Sequence, residues 1–403
     1  MKKILTYMTL MAAVLLTACS DADDFAQGNK TVVAPSEIGI IEATTGSIPD
    51  FMYEEGELTS RSSLAYDHFN TRMKFSWKQP KLGGDADAIG VFALNDDPTK
   101  SAQMKYVVTN DDLVESGNYV TGVFENAVPE AAPLNKEYEY EAYSPCIDTH
   151  DRDYTQVPIS YLEQKQASNV QMKLLKVYND DPTEGNKAAY MESEAAACDH
   201  LGAYDFMAST ATTTIAAHAH FLFQHMGATV RFFMLAPSND VIYDSLQLVN
   251  NYKKFPVKAK MNVKTKELTT VEERRVLSLE FDGGIDMSNE SKRAEYMYTY
   301  SKPMIVAYME VPAIDLTFED PDKKSQLYLL AHKIDDTDPL NLKTIRYCYK
   351  ANLSQKNIRA GYYYQWNVGP STDTPIEFDE IEIEEWKNGP GFTNEDGIGT
   401  EEW

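Results

Sequence analysis

What most constrains this chain is a recurring pattern of segments four to seven residues long, in which aromatic and β-branched residues stand between turn formers. Met73-Lys74-Phe75-Ser76-Trp77 alternates apolar and polar positions. Ala88-Ile89-Gly90-Val91-Phe92 is an apolar run that follows Gly83-Gly84-Asp85, so these two segments are expected to form a hairpin. Tyr138 to Tyr143 follows the Asn135-Lys136 turn and stops at Ser144-Pro145, as a strand leaving a sheet would. The same signature returns at His220–His225, Ala228–Met234, Ser245–Val249, Met304–Met309, Gln326–Leu330, Thr344–Tyr349 and Tyr362–Val368. Such runs carry the spacing of a β-sandwich. With 25 tyrosines and 16 phenylalanines the chain is also too aromatic to be disordered, and the fold class is mainly β.

At 403 residues there is chain for two sizeable cores, and composition places the breaks. Residues 62–209 read as an N-terminal sandwich carrying an irregular insertion at 151–200, where Ala188–Ala197 is the one short helix expected. Apolar periodicity lapses in the threonine-rich stretch Ser209–Thr214, which marks the boundary to a second sandwich over residues 210–370. Ahead of both, residues 19–61 form a tether that holds one strand-like segment, Ser36–Ala43, between Pro35 and the turn residues Gly46 to Pro49. Behind them, residues 371–403 make an acidic tail in which Ile376, Phe378, Ile381 and Ile383 are separated by carboxylates. With one slip at Asp379-Glu380 the tail alternates like a bulged strand, and it has no partner nearby in sequence.

The first residues address the chain to export. Lys2 and Lys3 precede an apolar run, Ile4–Leu16, too short to remain as a membrane-spanning helix, so residues 1–18 read as a signal peptide. Leu16-Thr17-Ala18-Cys19 resembles the lipobox of bacterial lipoproteins, which makes Cys19 the acylated first residue of the mature chain; the plainer alternative is a cleaved signal beside an incidental cysteine. The acidic Ser20–Asp24 patch resembles a surface-export tag of Bacteroidetes lipoproteins, and equally suits a solvated linker. Cys146, Cys198 and Cys348 remain; at most one bridge can form among them, with Cys146 and Cys198 the natural pair.

Little in the sequence points to catalysis. Phosphate-loop, dinucleotide, zinc-protease, serine-elbow and EF-hand patterns are absent, and no cofactor or metal is implied. His218 and His220 share a strand face and could reach one ion, but His225 lies an odd number of residues on and faces the other way, so a structural role is preferred. The pairs Asp96-Asp97, Asp111-Asp112 and Asp180-Asp181 sit in turn-like settings and read as solvated loops. Trp77, Phe92, Tyr364 and Trp366 read as core aromatics sooner than as a sugar platform. A net charge of −25, more negative still without Lys2 and Lys3, excludes nucleic acid as a partner.

Several of these segments resemble, in order, the fimbrillin family of Bacteroidetes-type bacteria. They are Trp77, Gly84-Asp85 and Ile89-Gly90-Val91-Phe92; Tyr140-Glu141-Ala142-Tyr143-Ser144-Pro145; Asp205-Phe206-Met207-Ala208; Phe223 to Phe232, with His225, Ala228 and Val230 at the motif positions; and Tyr362 to Val368. The Ala86-Asp87-Ala88 insertion departs from the family pattern. The resemblance implies two transthyretin-like β-sandwiches in tandem after a lipoprotein signal peptide. It also implies a subunit of a surface fimbria, not an enzyme, anchored in the outer membrane through lipid on Cys19. Assembly with other fimbrial subunits would then follow cleavage by an arginine-specific protease, and Arg61 in Thr59-Ser60-Arg61-Ser62 resembles that site, with Arg72 and Lys30 as lesser candidates. A cut there removes Ile38, Ile40 and Ile41 and leaves a groove that a neighbour's strand can fill, a role that suits Ile376, Phe378, Ile381 and Ile383 of the tail. The tail could equally close its own domain. A surface lipoprotein that does not polymerise and binds a glycan or a host or bacterial surface ligand is the alternative, with exposure of Trp77 and Trp366 as the discriminator.

Overall fold

Apolar residues at consecutive positions, as in Ala228–Met234 and Met304–Met309, demand a strand covered on both faces, and that demand sets the centre of the molecule. The computed structural model describes residues 40–45, 55–57, 63–67, 72–76, 87–108, 114–116, 119–127, 139–150, 152–215, 218–298, 302–335, 343–366, 376 and 379–381. Residues 38–403 form one compact unit; residues 1–37, a separate unit, lie outside the described residues.

The strands are β1 (Ile40–Thr45), β2 (Glu55–Glu57), β3 (Ser63–Asp67), β4 (Arg72–Ser76), β5 (Ala88–Ala93), β6 (Gln103–Val108), β7 (Val114–Ser116), β8 (Tyr119–Asn126) and β9 (Tyr140–Ser144). They continue as β10 (Val157–Ser160), β11 (Gln164–Gln166), β12 (Met207–Ile215), β13 (His218–His225), β14 (Gly227–Leu235), β15 (Ile242–Val249), β16 (Phe255–Met261) and β17 (Leu268–Arg274). The last are β18 (Val276–Asp286), β19 (Met304–Pro312), β20 (Ile314–Asp315), β21 (Gln326–Asp335), β22 (Lys343–Asn352), β23 (Asn357–Ile358), β24 (Tyr362–Trp366) and β25 (Asp379–Ile381). The chain is mainly β and contains several sheets.

An eight-stranded sheet runs β1-β13-β12-β9-β5-β6-β8-β7, and β1 pairs with β8 as well, so seven of its strands close a hydrogen-bonded ring. Alternate residues of these strands, among them Ile89, Val91, Tyr106, Phe124, Ala142, Phe221 and Phe223, are buried in one cluster. A four-stranded sheet, β19-β14-β24-β2, faces a six-stranded one, β11-β18-β15-β21-β22-β25. Between them Val230, Phe232, Ile305, Ala307, Tyr364 and Trp366 pack with Leu246, Leu248, Leu279, Leu327 and Leu329. The opposite face of the four-stranded sheet, with Phe233, Met304, Val306, Tyr308 and Tyr363, belongs to the same cluster as the ring, and Leu175, Tyr190, Ala197 and Cys198 of two helices join it there. β14 and β19 are therefore covered twice, as their composition demanded.

The insertion supplies that second cover. Its helices span Met172–Asp180 and Glu184–Cys198, the second begun by Thr183, whose hydroxyl accepts from the Asn186 amide (3.2 Å). Only a helix over Ala188–Ala197 was expected; the first escaped because its buried positions are just Met172 and Leu175. Beside them the free edge of β19 is satisfied by side chains. Asn169 Nδ2 donates to Met304 O (3.0 Å) and its Oδ1 accepts from Val306 N (2.9 Å). Gln166 does the same for Val306 O (2.9 Å) and Tyr308 N (2.9 Å), and Gln164 for Glu310 O (2.7 Å) and Glu310 N (2.8 Å). Burial pulls the His200 imidazole down to about 4, so the neutral ring donates from Nε2 to Tyr308 O (2.9 Å).

Three expectations are corrected. β4 pairs with β3, while β5 pairs with β6 and β9, so Met73–Trp77 and Ala88–Phe92 form no hairpin. The threonine-rich stretch is no linker: it lies within β12, in register with β13, because β-branched threonine suits a strand. The chain changes sheets instead between His225 and Gly227, where a Cβ on Gly227 would stand 2.8 Å from the Tyr161 hydroxyl. Finally, Cys146, Cys198 and Cys348 form no disulfide; Gln103 Nε2 lies 3.4 Å from Cys146 Sγ, and burial pushes the Cys146 thiol up to about 11 and that of Cys348 to about 12.

Candidate functional site: the seat of the N-terminal strand

β1 holds the position that closes the ring. It runs parallel to β13, with Ile41 opposite Ala219 and Ala43 opposite Phe221, and antiparallel to β8, with Ile41 opposite Phe124 and Ala43 opposite Gly122. Ala219, Phe221 and Phe124 are buried, so every second position of β1 is in register with the apolar interior. Withdrawing β1 would leave β8 and β13 with a row of backbone donors and acceptors unpaired along a gap one strand wide.

β2 follows β1 in the chain and caps the other assembly, pairing with β24 from Glu55–Tyr364 to Glu57–Tyr362 at the edge of the four-stranded sheet. Arg61 falls between β2 and β3 in sequence and lies, like Cys19 and Ile38, outside the described residues. Ile40 and Ile41 open β1 itself; the strand spans Ile40–Thr45 where Ser36–Ala43 was expected.

The tail is seated in its own chain. Ile376, fully buried, continues the edge of β14 beyond β24: its amide donates to Phe233 O (2.8 Å) and its carbonyl accepts from Leu235 N (3.0 Å). β25 then adds to the six-stranded sheet, with Ile381 opposite Cys348. The tail thus joins both layers of one sandwich, while Phe378 and Ile383 lie outside the described residues.

Two residues singled out by motif meet at the end of β13. His225, at the end of β13, bonds through Nδ1 to the Asp205 carboxylate, and both are buried. This explains His225 as a structural group; among the described residues no cluster of His, Cys, Asp or Glu has the arrangement of a metal site. Nearby, the Thr229 hydroxyl donates to Glu310 Oε1. Burial pushes the Glu310 carboxyl well up, the negative charge of Asp205 adds to this, and the Thr229 bond opposes it. A carboxyl raised in the folded state contributes stability that is complete below its unfolded value, about 4.3, and is lost as pH climbs toward the folded value. Glu310→Gln keeps an oxygen for Thr229 and removes the titration. We expect it to flatten the loss of stability as pH climbs above the unfolded carboxyl value, read from urea midpoints at a series of pH values; an unchanged slope would refute the assignment.

Of the aromatics considered for sugar binding, the described ones are core. Trp366 is fully buried, stacks on Phe232 with ring centroids 5.6 Å apart, and donates from Nε1 to Ser354 O (3.0 Å). Phe92 and Tyr364 are buried as well, and Trp77 lies outside the described residues. A second polar group went unforeseen: Arg231 Nε donates to the Tyr308 hydroxyl (3.1 Å) and Nη1 to Gln365 Oε1 (3.0 Å), while Nη2 stands 3.6 Å from Glu194 Oε1. The one sequence hint was an arginine at the centre of an apolar run.

No known family profile and no curated protein matches the chain. Among solved structures it is similar to a candidate cell adhesion protein from Bacteroides ovatus, at 15% identity over 87% of this chain and 98% of the other, with a TM-score of 0.39. It is also similar to a fimbrial protein from Bacteroides vulgatus, at 8% identity over 74% and 93% of the two chains, with a TM-score of 0.31. A further candidate cell adhesion protein, from Bacteroides eggerthii, shows 10% identity over 84% and 87%, with a TM-score of 0.30. No helix among the described residues is long and apolar enough to cross a membrane.

Proposed function

We infer that this chain is a structural subunit of a cell-surface fimbria, exported as a lipoprotein acylated on Cys19 and assembled by strand exchange after cleavage at Arg61. The observation that carries this reading is the seat of β1, a strand near the start of the compact unit that closes a ring by pairing on both sides. A single cut after Arg61 would free β1 from the ring and β2 from the edge of the four-stranded sheet together. The first loss leaves a slot bounded by β8 and β13, and main-chain pairing can fill it with a strand from another subunit. The order of the fimbrillin-like motifs supports the same role. The tail, the candidate donor, must leave Ile376 and β25 in its own sandwich before it can act on a neighbour. That seat favours a second reading for chains that keep residues 1–61: a permanently anchored surface protein that does not polymerise.

Purified precursor incubated with an arginine-specific protease should yield a new N-terminus at Ser62 and detergent-resistant ladders on gels. A clean cut at Arg61 that leaves only monomers would overturn the assembly step. Recovery of all surface copies with a blocked, acylated Cys19 would favour the anchored form.

A further inference from the structure

We propose that the joint between the ring and the four-stranded sheet is a built binding site for internal water, in which a bound molecule bridges the Tyr161 hydroxyl to the free oxygens of Asp205 and Glu310. Four side-chain atoms shut away from solvent at this joint lack a hydrogen-bond partner among the described residues: Tyr161 Oη, Asp205 Oδ2, His225 Nε2 and Glu310 Oε2. Each of the four residues is at most 2% exposed. A buried polar atom left without a partner costs the fold its full desolvation penalty, so four in one place call for a ligand that can satisfy them.

They come together from segments far apart in the chain. His225 ends β13 and bonds through Nδ1 to Asp205, so its Nε2 is the ring nitrogen left over. Glu310 on β19 lies opposite Thr229 on β14 and takes the Thr229 hydroxyl on Oε1, which leaves Oε2. Tyr161, just after β10, is held to both. Gln164 Nε2 donates to Tyr161 O (2.9 Å) and to Glu310 O (2.7 Å), and the Tyr161 ring stands edge-on to Phe206, the neighbour of Asp205, with centroids 5.9 Å apart. Gly227, where the chain changes sheets, passes against the hydroxyl itself, since a Cβ there would stand 2.8 Å from it. Glycine at the crossover thus leaves beside the hydroxyl the room that a side chain would take.

The spacing selects the ligand. Burial first, and then the charges of Glu310 and Asp205, push the Tyr161 hydroxyl up, so both carboxyls are near enough to act on it. Neither accepts its proton, however, and polar groups that feel one another without bonding are separated by the kind of gap that one water closes. Water can accept from Tyr161 and donate to a free oxygen of Asp205 and of Glu310, the three bonds usual for an internal molecule. His225 Nε2, at the other end of the imidazole, calls for a second molecule of the same kind. A metal ion matches less well, because among the described residues no cluster of His, Cys, Asp or Glu has the arrangement to hold one. The bridge would tie the end of β13 to the segment before β12, to β19 and to the loop after β10, through a partner that no residue pattern encodes.

Tyr161→Phe in the full chain separates a wet joint from a dry one by sign, because it deletes the hydroxyl and keeps the ring. If water is bound, a hydrogen bond is lost, and the urea midpoint should fall by roughly 0.2–0.5 M. If the joint is dry, an unsatisfied buried group is removed and the midpoint should rise. A midpoint that rises or stays unchanged overturns the proposal. Crystals of the unaltered full chain, at a resolution that orders solvent, give a reading free of any variant. A water peak is expected within about 3.2 Å of Tyr161 Oη and of a carboxyl oxygen of Asp205 or Glu310, and featureless density there would overturn the site. Neither measurement involves cleavage or assembly, so both are independent of the fimbrial reading. Urea melts in sodium, potassium and choline chloride at equal ionic strength should coincide; a gain in stability specific to sodium or potassium would put a cation in that place and overturn the assignment to water.

Discussion

Arg231→Met is expected to cost about 3–5 kcal/mol of stability at neutral pH, because it strips the cation from a carboxylate that has no access to water. Glu194, on the Glu184–Cys198 helix, is fully buried and accepts from the hydroxyls of Tyr190 and Tyr308. Arg231 on β14 stands 3.6 Å from it, reaches Tyr308 on β19 and Gln365 on β24, and lies over the Phe233 ring at 4.9 Å. One guanidinium therefore links three strands of the four-stranded sheet to the helix that covers them. Burial already raises the Glu194 carboxyl, against the opposing pull of Arg231 and the two hydroxyls. Removing the arginine lets burial win further. Because a raised carboxyl loses stability as pH climbs above its unfolded value, the deficit of the variant should be smaller near pH 5 than near pH 8. Pairing the change with Glu194→Leu removes the stranded charge and should recover most of the loss in urea melts. A double variant no more stable than Arg231→Met alone would show that the arginine acts by packing and not by pairing.

The contrast between that cluster and the strands shows what a single sequence reveals. Ala228–Met234, Met304–Met309 and Tyr362–Trp366 announce themselves because doubly buried strands need apolar residues at almost every position. The tether strand was legible from the turn residues that bound it, although its place between β8 and β13 was not, since neither partner adjoins it in sequence. Local signals misled where partners are distant. Gly83-Gly84-Asp85 reads as a hairpin turn, yet β5 takes β9 from across the sheet. Thr212 and its neighbours read as a polar lapse, yet pair as a strand. Cysteine arithmetic offered Cys146 and Cys198 as a bridge but carries no distance, and neither is in a disulfide. Asp205 and His225 stood in separate motifs, and only the fold brings their side chains into one buried bond.

Gln166→Leu should be about as damaging as losing the arginine, for a reason rooted in the backbone. The amide of Gln166 donates to Val306 O (2.9 Å) and accepts from Tyr308 N (2.9 Å), on an edge of β19 that no strand among the described residues covers. Its own backbone is spent elsewhere, pairing with β18 opposite Phe281. In this way β11 belongs to the six-stranded sheet through its main chain and completes the four-stranded sheet through its side chains. Leucine fills similar space but offers neither donor nor acceptor, and Gln166 is buried, so water has no ready route to replace it. Two stranded backbone groups at about 1–3 kcal/mol each predict a loss of roughly 2–6 kcal/mol. Hydrogen exchange separates this from a general weakening. The Tyr308 amide should lose protection beyond the global change, whereas the Met309 and Ala307 amides, on the side of β19 paired with β14, should follow the global change alone. If all three shift together, the side-chain ladder is not what closes that edge.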